Sequence, residues 1–133
     1  MVHCQVCERE IKAKSGLVAH HGYKRPRNHS WQTASCIGAR NLPYEESRDV
    51  IPEAILVISN YIGNMLDYIE ALRKDEATVL SWRTKKPIKV GEPFYESQKD
   101  SEIRHAQSDI HFAEKDKARL QARYDAWKKE ATK

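Results

Sequence analysis

No long hydrophobic run is present: nothing approaches the roughly 18 uninterrupted apolar residues of a membrane-spanning helix, so a transmembrane protein is not expected. The opening MVHCQVCERE lacks the apolar stretch of a secretory signal, which speaks against export. Glycine is scarce, with 5 in 133 residues, and no Gly-rich phosphate loop can be drawn. There is also no G-x-S-x-G, no H-E-x-x-H, and no H-x-E followed by P-C-x-x-C. These absences argue against an α/β-hydrolase, a zinc protease and a zinc deaminase. Three cysteines make a poor disulfide framework and point to a reducing cytosol. Charged residues are 32% and hydrophobic residues 40%, a polar but not disordered composition that suits one small soluble domain with an appendage.

The charge is unevenly placed. The net charge is +4, yet residues 1–43 carry seven Lys/Arg against two acids, and residues 44–133 carry sixteen against seventeen. All three cysteines and four of the six histidines fall in the first 43 residues. The sequence thus divides near Pro43 into a basic, Cys/His-rich head (1–43) and a balanced remainder (44–133). A chain as short as the head rarely buries a sufficient core alone, and with too few cysteines for disulfides the expected solution is a metal.

Cys4-Gln5-Val6-Cys7 is a C-x2-C knuckle, whose two thiolates reach one ion from a tight turn. Ile11, Leu17 and His20 follow at intervals that resemble the ββα zinc finger, C-x2-C-x3-φ-x5-L-x2-H. The resemblance covers about 17 residues. It implies a short helix through Leu17 and His20, with Ser15 able to cap it and Gly22 suited to stop it. His21 competes with His20, and the spacing from Leu17 favours His20. Where the finger family places its last histidine, this chain has Lys24, Arg25 and Pro26, so the fourth ligand comes from elsewhere. Cys36 is favoured as a third thiolate, with His29 in reserve. The expected site is therefore Zn2+ on Cys4, Cys7, His20 and Cys36. A thioredoxin-like redox reading of the knuckle wants a βαβ context that is missing.

The strings Gly16-Leu17-Val18-Ala19-His20-His21-Gly22-Tyr23, Arg25-Pro26, Trp31-Gln32-Thr33, Ser35-Cys36 and Gly38-Ala39-Arg40 are similar to a group of small phage and prophage proteins. That resemblance spans roughly the first 50 residues and brings no activity with it; it implies a phage-type accessory protein.

Between His21 and Cys36, the cations Lys24, Arg25 and Arg27 stand among Tyr23 and Trp31. Cations neutralise phosphates and aromatic faces stack on bases, so this loop is the expected nucleic-acid contact. A solvated loop with one aromatic tucked under the metal explains the same residues, and the loop also suits an acidic protein.

Residues 49–80 carry a 4-3 apolar repeat, Ile51, Ile55, Ile58, Ile62, Met65, Ile69, Leu72, resumed at Val79, which predicts a helix. Asp49 can cap it and Pro52 is tolerated in its first turn. A second repeat, Ile103, Ala106, Ile110, Ala113, Lys117, Leu120, Tyr124, Trp127, predicts a helix over about 101–128. Pro87, Gly91 and Pro93 interrupt the connector, where Ile88-Lys89-Val90 suits an extended piece and Arg83, Lys85, Lys86 and Lys89 form a second basic cluster. The expected fold is mostly α: a zinc-stapled, ββα-like head on a long antiparallel two-helix hairpin. A row of Val50, Ala54, Val57, Tyr61 and Tyr68 widens the apolar face of the first helix. Val57, Tyr61 and Tyr68 are accordingly the candidate protein interface, for a host protein or for a second copy in a homodimer.

The functional expectation is a non-enzymatic, zinc-containing protein that binds nucleic acid through its basic head and basic connector. The runner-up is an interaction factor that inhibits a host enzyme or defence protein. A His-Asn-His nuclease is disfavoured because no acidic residue lies between Glu10 and Glu45 to help hold a catalytic cation.

Overall fold

The computed structural model describes residues 1–23 and 35–128. In order these are β1 (Val2–His3), β2 (Glu10–Ile11), β3 (Ala13–Lys14), β4 (Leu17–Val18), α1 (Ile51–Arg73), β5 (Val79–Leu80), β6 (Pro87–Ile88) and α2 (Tyr95–Ala126). None of the described helices is long and apolar enough to cross a membrane. Two compact units are present, Met1–Val57 with Asp116–Lys133, and Ile58–Lys115.

In the first unit, β1 pairs with β2 in register Val2↔Ile11, and β3 with β4 in register Ala13↔Val18 and Lys14↔Leu17. The second pairing leaves a two-residue loop, Ser15-Gly16, and both residues have positive φ, 56° and 81°. That combination is a type I′-like hairpin turn, which matches the twist of its flanking strands. It replaces the helix that the finger resemblance implies over this segment. Ser15 caps no helix, and Leu17 is exposed while its neighbour Val18 is buried. Past the hairpin, Val18 N–H donates to Asn41 O at 2.9 Å and Arg40 N–H donates to Val18 O at 2.7 Å, laying the 36–41 turn against β4.

α1 begins where expected, but its first turn is closed from outside. Gln5, inside the knuckle, is fully buried. Its Oε1 accepts the Val50 N–H at 3.0 Å, and its Nε2 donates to Asp49 Oδ1 at 3.0 Å and Leu42 O at 2.8 Å. The amide therefore satisfies a free helix-end donor while meeting its own hydrogen-bonding needs. Ile51, Ile58, Ile62, Ile69 and Leu72 of the expected stripe are buried.

In the second unit, α1 ends at Arg73 rather than running to residue 80. Asp75 takes a left-handed φ of 58°, its N–H donates to Leu72 O at 3.1 Å and the Glu76 N–H to Ala71 O at 2.8 Å. This is a Schellman closure with Asp where Gly is usual. The chain then forms the β5–β6 ribbon, in register Val79↔Ile88 and Leu80↔Pro87. α2 starts six residues ahead of the expected residue 101. The two helices pack against each other antiparallel: Leu72, Val79 and Tyr95 form a core joined by Tyr68, Ala77, Ile88 and Ile103. Tyr68 OH meets Glu102 at 3.4 Å, and Asp75 accepts from Tyr95 OH at 2.8 Å and Lys99 Nζ at 3.1 Å.

Candidate metal centre

The two hairpins and the 36–41 turn bring four donors together. Cys4, Cys7 and Cys36 are buried and His21 half-buried, and one ligand atom from each lies within 4.8 Å of the other three. Cys4 Sγ is 3.7 Å from Cys36 Sγ, and Cys7 Sγ is 3.3 Å from His21 Nε2. The set can hold one metal ion. Three of its members are those expected from the sequence. The histidine is His21, and His20 lies exposed on the neighbouring position. The reason is the hairpin: helical spacing from Leu17 favours His20, whereas an extended chain turns adjacent side chains to opposite sides. His29, the reserve ligand, falls outside the described residues.

The ligands are oriented by further bonds. His21 Nδ1 donates to Ala19 O at 2.7 Å, and since a carbonyl only accepts, Nε2 is left as the lone-pair nitrogen facing the thiols. Val6 N–H points at Cys4 Sγ at 3.5 Å. Gly38 lies so close to Cys4 Sγ that a Cβ there would overlap the sulfur. Hydrogen bonds with Cys36 and then Cys4, aided by Arg9, push the Cys7 thiol far below its ordinary range. Cys36, bonded to Cys4 and Cys7, is pushed far above it.

α2 clamps the knuckle through its carbonyls. Arg123 donates to Cys4 O at 3.0 Å and Gln5 O at 2.9 Å, and Arg119 donates to Val6 O at 3.1 Å. Arg119 also pairs with Glu8 at 2.7 Å and with buried Asp116 at 2.8 Å. Glu8 adopts a left-handed φ of 65° and pairs with Arg119 from that turn. The second repeat shows Leu120 but not the two arginines, whose carbonyl partners Cys4, Gln5 and Val6 lie more than a hundred residues away. The available signal was spacing: Asp116, Arg119 and Arg123 recur at three and four, on one helical row.

Tyr23, expected as a stacking face, is buried, with its OH donating to Asp116 at 2.5 Å. Burial and then that hydrogen bond push its hydroxyl pKa upward. Lys24, Arg25, Arg27 and Trp31 lie outside the described residues. Of the candidate interface, Val57 is exposed, and Tyr61 and Tyr68 are half-buried, Tyr68 packing against the Leu72 cluster.

Comparison of the chain with protein-family models, with curated proteins and with solved structures gives no match.

Proposed function

We propose that this is a non-enzymatic zinc protein whose metal staples a basic loop for nucleic-acid binding. The observation that carries the reading is the closed Cys3His cluster, two of whose ligands, His21 and Cys36, bracket the segment bearing Lys24, Arg25, Arg27 and Trp31. The segment's ends are joined directly, since Cys36 N–H donates to His21 O at 2.8 Å. Zinc suits the donors: three thiolates and an imidazole are a common structural set, with tetrahedral geometry. Two thiolates on one such ion, each about 2.3 Å from it, lie about 3.8 Å apart, against the 3.7 Å between Cys4 and Cys36. Four protein donors leave no open position for substrate, which supports a structural role over a catalytic one. A segment with three cations, flanked on both sides by ligands of one ion, then serves phosphates. Its setting as a phage-type accessory protein in bacterial cytoplasm rests on the resemblance of the head alone.

Two measurements test this reading. Zinc stoichiometry should be one per chain, lost in His21→Ala and retained in His20→Ala, and chelation should unfold the head. Fluorescence anisotropy should show binding to DNA or RNA at low salt. Each of Lys24→Glu, Arg25→Glu and Arg27→Glu should weaken it and flatten its log–log salt dependence by about one unit. If the wild-type protein binds neither polymer at low salt, the nucleic-acid reading fails. The second reading, a protein partner or a second copy, is favoured by exposed Leu56 and Val57 on α1. It expects polar substitution at Val57 to abolish association without lowering Tm.

A further inference from the structure

In the second unit, the β5–β6 ribbon, the segment after it and the start of α2 enclose a cleft of about 370 Å³. Trp82, Arg83, Lys86, Ile88, Phe94 and Gln98 are among its lining residues. Two of these are large aromatics that the fold leaves in water: Trp82 is 69% and Phe94 76% exposed. Phe94 also holds a φ of 71°, a conformation that a bulky side chain adopts at a cost. An exposed ring in a strained backbone position contributes nothing to the core, so its presence calls for a ligand. The flanking charge indicates which one. Residues 81–94 contain Arg83, Lys85, Lys86 and Lys89 against a single acid, Glu92. Arg83 places its guanidinium 5.7 Å from the centre of the Trp82 ring, so cation and ring present together. Three of the four cations are lysines, a residue depleted in protein–protein interfaces and well suited to phosphate.

We propose that this cleft binds single-stranded nucleic acid, an unpaired base stacking on Trp82 or Phe94 while Arg83 and Lys86 hold the adjoining phosphates. The inference rests on the nucleic-acid reading above and adds to it a second contact and a strand preference. A duplex keeps its base faces stacked inside, and only a single strand can lend one to an aromatic platform. Stacking and phosphate contact carry no information about the sugar, so DNA and RNA single strands should bind alike.

The experiment uses the full zinc-loaded chain with oligo-dT, oligo-rU and a duplex of the same length, at low salt. Binding is measured by anisotropy, and contacts are mapped by photo-cross-linking with 5-iodouracil probes. Trp82→Ala and Phe94→Gly are the variants. Glycine at residue 94 removes the ring and relieves the positive φ, so its Tm should equal or exceed that of the wild type. At least one of the two variants should lose about fivefold or more in affinity for single strands. Cross-links should fall in peptides carrying Trp82 or Phe94. Cross-links confined to the head loop, with both variants binding like wild type, would overturn the cleft and leave the proposed function standing. A duplex bound as tightly as the single strands would also overturn the cleft assignment. A wild-type protein that binds no oligonucleotide overturns both, and hands the cleft to a protein partner.

Discussion

Replacing Gly38 with alanine adds one methyl group, yet it should disable the metal site. The added Cβ would meet Cys4 Sγ well inside the 3.0 Å that real Cβ atoms essentially never breach, and ordinary contact begins only at 3.4 Å. The sulfur would therefore have to retreat by more than the 0.4 Å separating those limits. Metal–ligand distances tolerate about 0.2 Å, so a bound Cys4 cannot yield that much and stay bound. The backbone cannot easily yield instead, since Arg40 and Asn41 are hydrogen-bonded to Val18 and Arg123 grips the Cys4 carbonyl. Gly38 is not among the residues with positive φ, so alanine brings no conformational strain of its own to confuse the outcome. Altering a group that merely orients a ligand costs about 10–100-fold in metal affinity, and displacing the ligand itself should exceed that range. Competition against a chromophoric chelator would measure the loss for zinc, and the thiolate-to-metal charge-transfer band of the cobalt form would show whether three sulfurs still bind. Were Gly38→Ala to bind cobalt with unchanged intensity and affinity, the cluster assembled here would not be the metal site.

Asp116→Ala should destabilise the first unit by about 3 kcal/mol, because it removes a buried carboxylate from Arg119 and Tyr23 while Glu8 remains to pair the arginine; urea unfolding measures it. Asp75 is held below its usual carboxylate range by the Tyr95 hydroxyl and then Lys99. A depressed folded pKa means that its contribution is full above the ordinary value of 3.8 and is lost as pH falls through the folded value. Asp75→Asn keeps the left-handed turn and removes the charge, so its stability should fall less steeply than wild type below about pH 4.

The apolar stripe of α1 was legible because Ile51, Ile58, Ile62, Ile69 and Leu72 form one face and that face is buried. Its end was not, because Asp75 takes the left-handed position where a glycine would have marked the stop. The start of α2 was hidden for another reason: residues 95–102 add little to the apolar repeat, yet the Tyr95 ring is buried against Leu72 and Val79. In the candidate metal centre the three cysteines can be read directly, and the structure brings them together with one histidine. The histidine cannot, because the identity of the ligand depends on whether the chain past Ser15 coils or extends. The Ser15-Gly16 pair, with short alternating segments on either side, is the hairpin signal that the sequence carries.

Gln5 has a consequence for how freely the metal knuckle can vary. A C-x2-C turn is often treated as a cassette in which only the cysteines count. Here the residue inside the turn also closes the first turn of a helix that begins more than forty residues later. Grafting another protein's knuckle into this position would preserve the thiolates and leave the Val50 amide open to exchange. Conversely, deuterium uptake at Val50 would serve as a readout of the head: slow while the turn is formed around its ion, fast once the ion is withdrawn.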